Sequence, residues 1–181
     1  MSQAKVGRPE PSPSLIRRIE AFARAMLPPF AAALTMVAAA GPTGMPALVP
    51  AVVLPQVVFW SIFRPAAMSP PAVFAVGLLL DLLTLAPLGT GVLPLLVAHG
   101  LAVSWRRFLA RQTFLLAWAL YAGFAAGAAS LGYLLMAALS FTLPPPAPML
   151  REAALSFALY PFFAYLLGRL HQLMLRAEEA P

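Results

Sequence analysis

Residues 25–63 read AMLPPFAAALTMVAAAGPTGMPALVPAVVLPQVVFWSIF and contain no charged side chain. One straight helix of that length would extend about 58 Å, whereas the hydrocarbon core of a bilayer is about 30 Å thick. The run must therefore turn, and residues 41–46 (GPTGMP) hold the glycines and prolines that favour a turn. We predict two membrane-spanning helices here, over about 26–41 and 47–63.

The rest of the chain repeats this alternation of long apolar runs and short breaks. Residues 66–105 carry a single charge and break at Pro87-Leu88-Gly89-Thr90-Gly91, and residues 112–141 are uncharged. We predict an all-α membrane protein, a six-transmembrane-helix bundle over residues 15–175 whose spans cover about 26–41, 47–63, 71–86, 91–105, 112–141 and 152–174.

The two ends of the chain are more polar than its middle. Residues 1–14 contain three prolines among polar residues and are expected to be a disordered cytoplasmic tail. Residues 15–26 have apolar and charged side chains on opposite helical faces. They form either a short amphipathic helix at the membrane surface or an extension of the first span. Residues 176–181 are expected to be a second cytoplasmic tail.

Charge is scarce and unevenly distributed. The chain is 61% hydrophobic and 10% charged, whereas a soluble domain carries about 25% charged residues. The net charge of +6 does not indicate a nucleic-acid partner, because the basic residues lie in short clusters between apolar runs, as membrane-flanking charges do. An even number of spans puts both termini on one side. The cytoplasmic placement leaves only Arg151 of the 12 basic residues outside, so we predict a multi-pass protein with both termini cytoplasmic.

Asp81 is the first candidate for a functional residue, because a carboxylate inside a span costs about 2.5–3.5 kcal/mol unless it faces protein or water. Gly77 and Thr84 lie on the same helical face as Asp81. Three interpretations are open: a structural carboxylate that is protonated or bonded to a neighbouring helix, the lining of a ligand- or partner-binding cavity, and proton-coupled transport. His99 lies on the next span, about one helical turn away in depth, so pairing with Asp81 is open too.

The fifth span contains a pair of small residues, Gly123 and Gly127, that predicts close helix packing. Packing inside the bundle is favoured over an intermolecular contact. The chain has no cysteine and no motif for nucleophilic catalysis or nucleotide binding, so we expect neither an enzyme nor a bound cofactor or metal.

The hairpin Phe74-Ala75-Val76-Gly77-Leu78-Leu79-Leu80-Asp81-Leu82-Leu83, followed by Pro87-Leu88-Gly89, resembles MreD, the rod-shape-determining membrane protein of bacteria. That family has a Gly-x-x-x-Asp element in a membrane helix and then a short break that ends in Gly. Gly77, Asp81 and Gly89 occupy those positions here. The motif covers some twenty residues, while the length and the predicted span number extend the resemblance over the whole chain.

The resemblance implies a scaffold of the elongasome in the bacterial inner membrane. The protein would bind MreC, a single-span protein, and connect to MreB, RodA and the penicillin-binding transpeptidase in lateral peptidoglycan synthesis and rod-shape maintenance. The family fold resembles the substrate-binding subunits of energy-coupling-factor transporters. An alternative function is therefore a vitamin-binding transporter subunit, with a pocket at Asp81, Thr84 and His99. Self-association is left open.

Overall fold

The computed structural model of the protein describes residues 15–41 and 47–179. Its regular structure in those ranges is entirely α-helical, which confirms the all-α prediction for the described residues. The predicted disordered tail, residues 1–14, and most of the first predicted turn lie outside them. Seven helices follow one another in these ranges: α1 Leu15–Ala39, α2 Leu48–Phe63, α3 Pro70–Thr84, α4 Val92–Ser104, α5 Arg106–Leu109, α6 Phe114–Ser140 and α7 Ala147–Glu179.

Several helix boundaries differ from the expected ones, and α7 begins at Ala147 and not at about residue 152. α1 is continuous from Leu15, so the stretch before the first predicted span extends that helix, although Pro28 and Pro29 each remove a backbone donor from it. α7 continues to Glu179, so the predicted second tail is helical up to that residue, where leucine, arginine, alanine and glutamate all favour helix. α5 is a single unpredicted turn that reverses the chain between α4 and α6.

α2 is the central helix of the bundle. Every residue from Ala51 to Ser61 is buried, and α2 contacts α1, α3, α4, α5 and α7. A helix that is apolar on all sides is stable only when it is covered all round. The five helices that contact α2 cover it with buried residues of their own, such as Ala98 and Ala102 on α4.

Hydrogen bonds between uncharged polar side chains connect the helices. The Gln56 amide of α2 donates to the Thr35 hydroxyl of α1 over 2.7 Å, and the Tyr121 hydroxyl of α6 bonds that of Ser156 on α7. The Trp118 indole of α6 also donates to the Phe157 carbonyl oxygen of α7 over 3.0 Å. Such bonds hold helices together where apolar burial gives no preference between helix and lipid.

The described arginines lie mainly at one end of the bundle, which we call the arginine end. It contains α5 and the C-terminal parts of α2 and α7, where the rings of Phe63 and His171 lie 5.6 Å apart. The opposite end contains the α3–α4 turn and the first turn of α7, and we call it the turn end. Among the arginines whose side chains the structure describes, Arg151 belongs to the turn end and six belong to the arginine end: Arg64, Arg106, Arg107, Arg111, Arg169 and Arg176.

The outer surface is apolar. Two helices, Phe114–Ser140 and Ala147–Arg176, are long and apolar enough to cross a membrane. Only 17% and 22% of their most apolar stretches are buried inside the molecule, whereas the core helix of a soluble protein is mostly buried. Four shorter apolar helices accompany them: Ala25–Ala39, Leu48–Phe63, Pro70–Thr84 and Val92–Ser104. The described residues thus include two candidate membrane-spanning helices.

Truncation of α2 should destabilise the protein far more than the same truncation on the outer surface. Leu54 is 5% exposed and Leu134 is 62% exposed. We expect Leu54→Ala to lower the free energy of unfolding by about 2 kcal/mol, because it leaves a cavity in the centre of the bundle. Leu134→Ala, the matched control, should change it by less than about 0.5 kcal/mol. Denaturant titration in detergent micelles measures both; equal losses would contradict the central position of α2.

Candidate functional site

Asp81 lies in the last turn of α3, and the residue is only 1% exposed. Oδ2 accepts the backbone N–H of Gly89 over 2.6 Å, and Oδ1 accepts that of Gly91 over 2.6 Å. The Thr90 hydroxyl is 3.4 Å from Oδ1 and donates to the Pro87 carbonyl oxygen over 2.8 Å. We call Asp81, Gly89, Thr90 and Gly91 the Asp81 clasp, because the carboxylate holds the α3–α4 turn closed.

Glycine is required at three positions around this carboxylate. Gly89 has φ +104°, a left-handed conformation that other residues rarely adopt. A Cβ on Gly91 would lie 2.6 Å from Asp81 Oδ1, and a Cβ on Gly77 would lie 2.7 Å from the Cα of Val92. Those separations are shorter than any real contact, so the two helices can approach this closely only through glycine.

The clasp also places negative charge at the start of a helix. Gly91 is the N-cap of α4, and the first backbone N–H groups of a helix have no partner within it. A carboxylate at that position satisfies such donors and interacts favourably with the helix dipole. The geometry therefore favours the structural interpretation of Asp81, in which the carboxylate is bonded to a neighbouring helix.

The structure does not bring Thr84 and His99 to the carboxylate. The Thr84 hydroxyl donates to the Leu80 carbonyl oxygen within α3 over 2.8 Å. His99 Nδ1 lies 2.8 Å from the hydroxyl oxygen of Ser61 on α2, and this hydroxyl is 2.6 Å from the Val57 carbonyl oxygen. His99 therefore joins α4 to the central helix, and the partner that it has is Ser61 and not Asp81.

Gly123 and Gly127 are exposed on the outer face of α6. A Cβ added to either residue meets nothing within 4 Å. The buried face of α6 is formed instead by Tyr121, Ala125 and Ala129. The prediction that the two glycines pack inside the bundle is therefore wrong. α6 is apolar on all sides, so its sequence does not show which side faces the bundle. The intermolecular alternative stays a prediction.

Two features of the structure were not expected from the sequence. The first is the set of polar residues that form hydrogen bonds between helices: Ser61, Gln56 and Ser156. Of these, only Gln56 could have been found from the sequence, because it is a lone amide in an apolar run. The second is a cavity of about 260 Å³ between α2, α5, α6 and α7, which lies at the arginine end and not beside Asp81. Among the described residues, no three His, Cys, Asp or Glu side chains are grouped so that they could hold a metal ion.

Gly77→Ala should destabilise the protein, because its methyl group would meet the backbone of Val92 and force α3 from α4. We expect a loss of about 1–3 kcal/mol in the free energy of unfolding. Gly100→Ala is the matched control, because it is also helical but a Cβ there meets nothing within 4 Å. It should stabilise the helix by about 0.5–1 kcal/mol. Denaturant titration in micelles compares the two, and a neutral Gly77→Ala would contradict the close approach.

Asp81→Asn should open the α3–α4 turn. The amide keeps one acceptor oxygen but turns two donor hydrogens towards a backbone N–H, so one hydrogen bond of the clasp is lost. We expect a loss of about 1.5–3 kcal/mol in the free energy of unfolding and faster hydrogen exchange at the N–H groups of Gly89 and Gly91. Thr84→Val, whose hydroxyl bonds only its own helix, should leave that exchange unchanged. Unaltered hydrogen exchange in Asp81→Asn would contradict the claim that the carboxylate holds the α3–α4 turn closed.

No protein-family model, curated protein or solved structure matches the chain.

Proposed function

We propose that the chain is a multi-pass protein of the bacterial inner membrane, with its arginine end at the cytoplasmic surface and both termini cytoplasmic. The segregation of the described arginines supports this orientation, because basic residues accumulate on the cytoplasmic side. The outward-facing leucines and phenylalanines of α1, α3, α4, α6 and α7 support a lipid-covered surface. Six of the seven helices would be spans, and α5 would lie at the cytoplasmic surface.

The short helices do not exclude six spans. α2, α3 and α4 have 16, 15 and 13 residues, so they rise about 20–24 Å, less than the roughly 30 Å hydrocarbon core. A short span is accommodated by local thinning of the bilayer. α2 meets little lipid because it is central, and this reduces the cost further.

Within that membrane we propose a scaffold of the MreD type. It would bind a single-span MreC-like protein, connect to MreB, RodA and the penicillin-binding transpeptidase, and help to maintain rod shape and lateral peptidoglycan synthesis. One observation carries the proposal: Gly77, Asp81 and Gly89, the residues of the resemblance, act together in one small unit that closes the α3–α4 hairpin. A scaffold needs such rigid helix pairs and apolar surfaces rather than reactive groups.

The geometry gives less support to a vitamin-binding transporter subunit. That function would use a polar pocket at Asp81, Thr84 and His99. The polar atoms of Asp81 and Thr84 are bonded to backbone groups, and His99 is bonded to Ser61. We also propose that the whole fold resembles that of the transporter subunits, because this likeness is expected for either function.

Depletion of the protein separates the two functions. Rod-shaped cells should become round as the protein is lost, and wild-type protein or Gly100→Ala should restore their shape. The protein should also co-purify with a single-span MreC-like partner from wild-type membranes. Unchanged cell shape together with lost uptake of one vitamin would overturn the scaffold and favour the transporter subunit.

Asp81 variants separate a folding role from a binding role in the same cells. Asp81→Asn should reduce the amount of protein in the membrane and co-purification of the partner in the same proportion, because the clasp acts on the hairpin and not on the partner. Membrane amounts are measured by quantitative blotting of an epitope tag. A normal amount of variant protein with no bound partner would show that the carboxylate itself belongs to the partner-binding surface.

A further inference from the structure

The cavity at the arginine end has an apolar, largely aromatic lining. Its walls include Phe59 and Phe63 of α2, Tyr121 and Phe124 of α6, and Tyr160 of α7. The volume of about 260 Å³ exceeds the roughly 150 Å³ of an engineered apolar cavity that binds benzene. A segment of a flexible hydrocarbon chain is therefore a ligand that this cavity can hold.

A basic groove adjoins the cavity at the same end. The groove is lined by Arg107, Phe108, Arg111 and Gln112, and Gln112 also lines the cavity. The two arginines are exposed, and in the part of the chain that the structure describes neither guanidinium forms a hydrogen bond or an ion pair. Two cations without partners at the mouth of an apolar cavity form a site for a molecule that is anionic at one end and apolar at the other.

We infer that the cavity and the groove together bind one anionic phospholipid. An acyl chain enters the cavity between α2, α6 and α7, and the phosphate group binds to Arg107 and Arg111. Basic pockets between helices at the cytoplasmic surface are suited to anionic headgroups, and an acyl chain that moves from the bilayer into the cavity stays in apolar surroundings. The site goes beyond the proposed scaffold function, because it requires no protein partner.

Other occupants fit the observations less well. A partner helix has a diameter of about 10–12 Å with its side chains and is too large for the cavity. Inorganic phosphate would satisfy the arginines but would leave the aromatic lining uncovered. A zwitterionic phospholipid would place a third positive charge beside the two arginines, so an anionic headgroup is favoured.

Native mass spectrometry of the purified full chain in detergent tests the site. The protein is mixed with equal amounts of phosphatidylglycerol and phosphatidylcholine that have identical acyl chains, and we expect one phosphatidylglycerol to be retained preferentially. Arg107→Gln/Arg111→Gln should weaken its retention by about fivefold for each arginine removed. Arg151→Gln/Arg176→Gln, which removes the same charge at two positions on α7 that do not line the groove, is the matched control and should bind as the wild type does.

A second pair of variants tests the hydrocarbon part of the site. Ala117 lines the cavity, whereas Ala119 is exposed on the outer face of the same helix. Ala117→Phe should fill the cavity and abolish retention of phosphatidylglycerol, and Ala119→Phe should not. If Ala117→Phe does not fold, Ala164→Leu on α7 fills the same cavity from the other side.

Three results would overturn the inference. The first is equal retention of the two lipids by the wild type, and the second is an equal loss of phosphatidylglycerol retention in the groove variant and its control. The third is displacement of phosphatidylglycerol from the wild type by millimolar inorganic phosphate alone. The measurement uses the isolated protein, so failure of the lipid site leaves the scaffold proposal standing. Loss of the scaffold function in cells would likewise leave the lipid result unchanged.

Discussion

A carboxylate inside an apolar bundle needs hydrogen-bond donors, and in this protein the donors are the backbone N–H groups of Gly89 and Gly91. The position of α4 depends on those two bonds, because they join its first turn to the last turn of α3. α4 in turn contacts both α2 and α6. The bond between His99 and Ser61 joins α4 to the central helix.

The central helix shows how a few polar groups set helix positions in an apolar core. Apolar contacts are non-directional, so they specify the relative depth of two neighbouring helices less sharply than a hydrogen bond does. Gln56 and Ser61 of α2 bond Thr35 of α1 and His99 of α4 respectively, so each pair fixes the relative depth of two helices. Tyr121 and Ser156 do the same for α6 and α7. A buried polar group without its partner would cost about 1–3 kcal/mol, which disfavours any shifted arrangement.

The two ends of the bundle have different chemistry. The turn end is closed by hydrogen bonds between Asp81 and backbone groups. Each carboxylate oxygen of Asp81 already accepts a backbone N–H. At the arginine end, Arg107 and Arg111 lie in a groove next to an aromatic cavity, and among the described residues neither guanidinium has a hydrogen-bond or ion-pair partner. The resemblance on which the proposed scaffold function rests lies at the rigid turn end, whereas the inferred lipid site lies at the opposite, basic end. A scaffold whose basic end binds lipid would be held at a constant depth in the membrane while its partners assemble around it.

The sequence by itself determined the helical class, the apolar segments, their glycine- and proline-rich breaks and the importance of Asp81, because hydropathy and turn chemistry are local and one charge in an apolar run is conspicuous. Only the tertiary structure decided the partners of Asp81 and His99, the outward orientation of Gly123 and Gly127, and the cavity at the arginine end. The physical reason is that lipid and protein core are both apolar. A helix such as α6 is hydrophobic on every side, so its sequence does not show which side is buried. Contacts such as that between Ser61 and His99 join separate segments and leave no local pattern in the sequence.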